Sequence, residues 1–93
     1  MPSFDVAHIR EQGQNMLLFP LDGSFDHRSS SEQQATLAEL EARAHAAGLA
    51  GKAVALWDRA GRTYFLGPRP WHNFLRSISM GFVLANVNKK ISW

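Results

Sequence analysis

The apolar positions along the chain change period several times, and each change marks an element. Residues 4–10 alternate, with Phe4, Val6, His8 and Arg10 on one side and Asp5, Ala7 and Ile9 on the other. That is the period of an outer strand with a mixed face. Glu11-Gln12-Gly13-Gln14 reads as a turn, because Gly13 can take positive φ at no steric cost. Asn15 to Leu21 predicts a second strand whose Met16, Leu17, Leu18 and Phe19 make both faces apolar. Pro20 has no N–H for a ladder, which places it near the strand's end or on an open edge. The two strands together predict a hairpin.

After a polar loop from Asp22 to Ser31, the period lengthens to that of a helix. Leu37, Leu40, Ala44 and Ala47 recur at helical spacing. Ser30 or Ser31 can cap the start, with Gln33 or Gln34 completing a capping box. Gly48 followed by Leu49 predicts a Schellman stop with its apolar follow-on contact. A second hairpin comes next, from Ala53-Val54-Ala55-Leu56-Trp57 and Thr63-Tyr64-Phe65-Leu66. Between them Asp58-Arg59-Ala60-Gly61 suits a type I turn closed by a left-handed glycine.

Gly67-Pro68-Arg69-Pro70 ends that strand, and Pro70 suits the first position of a new helix. Trp71, Phe74, Leu75, Ile78, Phe82 and Ala85 then form one helical stripe. Gly81 weighs against a continuous helix at a cost of about 1 kcal/mol relative to alanine. The competing parse stops the helix near Ser79 and makes residues 82–91 a strand, with Val83, Ala85, Val87 and Ile91 on one face. The long helix is the preferred expectation.

These elements predict an α+β fold, a two-layer sandwich of order ββαββα with an antiparallel four-stranded sheet and two helices. The alternative is ββαββαβ, with a C-terminal strand at 82–91. The second and third strands are apolar on both faces, which two helices on one side would leave half uncovered. Either the helices lie on opposite faces, or a second copy buries the open one. A homodimer follows as an expectation.

Composition narrows the class. Ninety-three residues make a single domain over 1–93, large enough to bury roughly 60–70% of the unfolded surface in one core. The chain is 45% apolar and 19% charged, a globular balance. It has no cysteine, which removes disulfides and thiolate chemistry and suits a reducing compartment. The start has no basic segment followed by an apolar stretch, and the longest uncharged run, Ser77 to Asn88, is too short and polar to span a bilayer. A soluble cytoplasmic protein without a membrane partner is expected.

Charge is unevenly spread. Residues 1–50 carry seven acids against Arg10, Arg28 and Arg43, a net −4, whereas residues 51–93 carry seven basic residues against Asp58 alone, a net +6. Arg59, Arg62, Arg69, Arg76, Lys89 and Lys90, with Trp71 as a stacking face, are therefore the candidate contacts for an anionic partner such as nucleic acid. Against that reading, the cations are scattered and no RNA- or DNA-binding signature is present.

No other chemistry stands out. The loop from Asp22 places oxygens at positions 1, 3 and 5 of a calcium loop, but His27 and Gln33 occupy the places of its glycine and bidentate glutamate. His8, His27, His45 and His72 lack metal-site spacing, and only a folded convergence of Asp26, His27 and His72 would build a composite site. Ser24 lacks a nucleophile-elbow context. No catalytic residue, cofactor or metal is assigned. The leading expectation is a non-catalytic protein–protein interaction or regulatory module that pairs with itself. The alternative is a nucleic-acid-binding accessory factor using the basic, aromatic C-terminal half.

Overall fold

A computed structural model describes residues 3–11 and 13–92. Five strands form one sheet in the order β4-β3-β2-β1-β5. They are β1 (Ser3–Glu11), β2 (Gln14–Leu21), β3 (Lys52–Arg59), β4 (Arg62–Leu66) and β5 (Lys89–Ser92). The helices are α1 (Ser30–Ala46), α2 (His72–Ser77) and α3 (Met80–Ala85), with short 3-10 turns at Gly23–His27 and Arg69–Trp71. No helix is long and apolar enough to cross a membrane.

The class is α+β, but the sheet is mixed and five-stranded rather than antiparallel and four-stranded. β2 and β3 run parallel, from Met16 beside Lys52 to Leu21 beside Trp57. The remaining neighbours are antiparallel. The helix between β2 and β3 accounts for the difference. At 17 residues, α1 is about 25 Å long, close to the length of an eight-residue strand at about 3.3 Å per residue. It returns the chain to the end of the sheet where β2 began, so β3 enters in the same direction.

Both faces of the sheet are covered within one chain. Val6, Leu17, Phe19 and Ala53 pack with Leu40 and Ala44 of α1. Their strand neighbours Ala7, Met16, Leu18, Val54 and Leu56 point the other way, onto Leu75 of α2 and Val83 of α3. The doubly apolar runs of β2 and β3 thus find helices on opposite faces, giving three layers where two were expected.

Local chemistry sets the boundaries. The N-cap of α1 is Ser29, one residue before the expected serines; its Oγ accepts from the Glu32 amide at 3.2 Å and donates to the Glu32 carboxylate at 3.3 Å. The Schellman stop is present: the Leu49 amide donates to the Ala44 carbonyl and that of Gly48 to His45. The continuous second helix is not. Ile78 and Ser79 are extended, and Ser79 caps α3 through the Phe82 amide, so the serine and not Gly81 makes the break. The alternative order with a C-terminal strand fits roughly, but the strand is β5 from Lys89 and not 82–91, since residues 80–85 are helical. Asn88 starts β5 by imitating a strand: its carboxamide accepts from the His8 amide at 2.9 Å and donates to the His8 carbonyl at 3.0 Å. Of the expected first turn, Gly13 takes φ +77° and Glu11 pairs Gln14, while Gln12 lies outside the described residues.

Gly51 joins the α1 side to β2. It sits at φ +128°, and a Cβ there would lie 2.6 Å from the Asn15 carbonyl oxygen. Gly51→Ala is therefore expected to lower stability by about 2 kcal/mol or more. Gly13→Ala, where nothing lies within 4 Å, should cost only about 1 kcal/mol. Urea unfolding of both variants checks the contrast.

Candidate functional site at the β4 edge

The β3–β4 hairpin carries a cluster of polar and aromatic contacts. Its turn is tighter than expected. Arg59 pairs Arg62, and the two central residues, Ala60 and Gly61, have φ of 51° and 80°. That is the two-residue type I′ pattern, whose twist matches the strands, and not a type I turn. Below the turn, Trp57 meets Phe25 edge-on at 4.9 Å and stacks on Tyr64 at 6.2 Å.

One carboxylate ties this group together. Asp26 accepts from the Trp57 indole N–H at 3.1 Å and pairs with Arg59 at 2.8 Å. The 3-10 turn that carries Asp26 can approach because Gly23 has no side chain; a Cβ there would lie 2.9 Å from the Asp58 carbonyl oxygen. Gln33 of α1 adds a donor to the Phe25 carbonyl at 2.9 Å. Across the hairpin, Thr63 donates to Asp58 at 2.7 Å. The loop that follows β2 thus braces β3 at Trp57, Asp58 and Arg59, on which β4 is paired.

The two sheet edges differ in character. β5 is four residues long and presents Lys89 and Lys90, the lysine-guarded edge by which sheets avoid unwanted pairing. β4 carries Arg62 as its only charge, contains no proline or lysine, and exposes Tyr64 to 38%. It is the unguarded edge.

The sequence-predicted contacts for an anionic partner do not share one surface. Arg59 and Arg62 sit together at the hairpin turn. Arg69 and Trp71 lie beyond the far end of β4, a strand roughly 17 Å long by its residue count. Arg76 is exposed on α2. Lys89 and Lys90 are on the opposite sheet edge, roughly 19 Å away across four strand spacings, and Lys90 is 3.7 Å from Asp5. Trp71 packs against the α2–α3 core while lining a groove.

The other candidate groups are likewise separate. Asp22 accepts from the Ser24 amide, and Asp26 is taken up by Trp57 and Arg59. His72 donates to the Gly67 carbonyl and meets Phe65 edge-on, on the α2–α3 face, whereas His27 ends the turn that packs on the α1 face. Among the described residues no three His, Asp or Glu side chains are placed to hold a metal ion. Sequence reading missed Tyr64 and the bridging role of Asp26. The alternation of Arg62, Tyr64 and Leu66 against Thr63 and Phe65 was the available signal for Tyr64.

No family model, curated protein or solved structure matches the chain, so its function is argued from its own geometry.

Arg59 is 58% exposed, while Asp26 is mostly covered. The worth of Asp26 therefore lies in the Trp57 bond more than in the ion pair. Asp26→Ala is expected to cost about 1–2 kcal/mol by leaving the indole N–H without its partner. Arg59→Ala should cost under about 0.5 kcal/mol. Equal losses in denaturant titrations of the two variants would assign the bracing to the ion pair instead.

Proposed function

We propose that the protein is a small non-catalytic binding module that pairs through β4 with a second copy of itself. The unguarded β4 edge carries this reading. The sheet faces are already occupied, so an interaction built on the sheet has its edges available, and only one of them lacks lysine.

The backbone register supports self-pairing. In a two-residue hairpin the residues flanking the turn exchange both backbone hydrogen bonds. With Arg59 opposite Arg62, Trp57 opposite Tyr64 and Ala55 opposite Leu66, the amides and carbonyls of Tyr64 and Leu66 also face β3. Those of Thr63 and Phe65 face outward. An antiparallel copy centred on Tyr64 sets each Thr63 against the partner's Phe65, with both bonds exchanged. Arg62 then lies opposite the partner's Leu66, so no like charges meet. The arrangement is isologous and closes as a dimer. Tyr64 would pack on the partner's Tyr64, extending the Trp57 stack across the interface.

Sedimentation velocity tests this with charge reversal at the centre of the pairing. The wild type should move from the 10.4 kDa monomer toward twice that mass as concentration rises. Tyr64→Lys and Tyr64→Glu should each remain monomeric, and an equimolar mixture of the two should dimerise. A wild type that stays monomeric to ~1 mM, or a Tyr64→Lys variant that dimerises equally well, contradicts the reading.

A further inference from the structure

At the end of the sheet away from the β3–β4 turn, a groove of about 580 Å³ opens between Gly13–Asn15, the Gly48–Lys52 segment and Trp71. The groove is open to solvent along much of its length, and its volume falls within the range of small-molecule sites, about 300–1,000 Å³. We infer that this groove binds a small organic anion bearing a planar ring, with the anionic group at Lys52 and the ring against Trp71.

The groove exists because of how the backbone is arranged there. Gly51 lies directly against the Asn15 carbonyl, which locks the α1–β3 segment to the start of β2. Gly13 and Gly48 stand at positive φ with nothing within 4 Å of a Cβ position, which keeps the rim low. At the opposite end of β2 and β3, the Gly23–His27 turn packs Phe25 onto Trp57 and closes the sheet. The open end is therefore the one where the two parallel strands begin.

The lining defines the ligand's chemistry. Lys52 supplies an ammonium, and Gln14 and Asn15 supply carboxamides; among the described residues no carboxylate lines the groove. His45 donates from Nε2 to the Gly51 carbonyl at 2.7 Å, which holds its ring in place as part of the groove wall. At the end of α1 the carbonyls of Ala44 and His45 accept from Leu49 and Gly48. The Lys52 charge at this end of the groove favours an anion.

The other end is apolar and differently charged. Trp71 is shared with an adjoining cleft whose further walls include Pro70, Phe74, Met16 and Glu11. Trp71, Pro70 and Phe74 offer a shelf for a flat ring, while Glu11 repels an anionic group from that side. The two ends together orient a molecule that is negative at one end and flat at the other.

The site is remote from β4 and is independent of self-pairing, so both can be read on the same protein. The test is titration of the full ¹⁵N-labelled chain, and of its Tyr64→Lys variant, with 2-naphthoate, 2-naphthalenemethanol, cyclohexanecarboxylate and adenosine monophosphate. Saturable amide shifts from 2-naphthoate or the nucleotide are expected at Gly13–Asn15 and Gly48–Lys52, with a shift of the Trp71 indole N–H. Which of those two anions binds more tightly distinguishes a carboxylate site from a phosphate site. The uncharged alcohol and the ring-saturated acid should each bind about tenfold more weakly, and Lys52→Gln should weaken the aromatic anion about tenfold while Lys52→Arg preserves it. Lys52 is exposed, so neither substitution disturbs a packed side chain. No saturable shift from either aromatic anion at ~10 mM, equal binding of the alcohol, or shifts centred elsewhere would overturn the inference.

Discussion

The parallel ladder between β2 and β3 is the constraint on which the rest of the structure depends. It exists because α1 is as long as the strand it follows, so the chain re-enters the sheet at the same end. A parallel pair in the middle of a sheet has both faces to cover. α1 covers one through Leu40 and Ala44, and the α2–α3 pair covers the other through Leu75 and Val83. Glu41 reinforces the crossover from the helix side, since its carboxylate accepts from the Ala53 amide at 2.8 Å. That contact satisfies β3 where β4, which ends at Leu66, no longer runs beside it.

Covering both faces leaves the rim as the part of the sheet itself open to interaction. The rim is not uniform. One edge is a short strand with adjacent lysines, and the other is a braced hairpin with a partly exposed tyrosine. One end of the parallel pair is plugged by the aromatic turn around Phe25, and the other stays open beside Gly51 and Trp71. The proposed self-pairing at β4 and the proposed ligand binding at the open end thus use different residues of the same architecture.

Features set within a few residues of one another were legible in the sequence. The alternation of 4–10, the doubly apolar 16–19 and 53–57, and the Gly48-Leu49 stop all depend on local pattern, and all appear in the structure. Features decided by distant contacts were not. Three consecutive serines offer equivalent caps, and the choice of Ser29 accompanies the docking of Phe25 and Gln33. β5 starts where Asn88 meets His8, eighty positions away in the chain. The direction of β3 follows from the length of a helix, which no residue type encodes. The contrast between the −4 and +6 halves carried little about a partner, because the sheet order sends Arg59 and Arg62 to one edge and Lys89 and Lys90 to the other. For the candidate site, Arg59 and Arg62 were visible beforehand, while Tyr64 and Asp26 emerged only once the Gly23–His27 turn and the hairpin were placed against each other in space.

The most direct test of the claim that association uses the β4 edge is residue-resolved amide hydrogen exchange as a function of protein concentration. Self-pairing at β4 predicts that the Thr63 and Phe65 amides slow as concentration rises, with no change at β5 or at α3, where Phe82 and Leu84 are also exposed. Exchange at Thr63 and Phe65 that is independent of concentration, or slowing confined to β5 or α3, would contradict it.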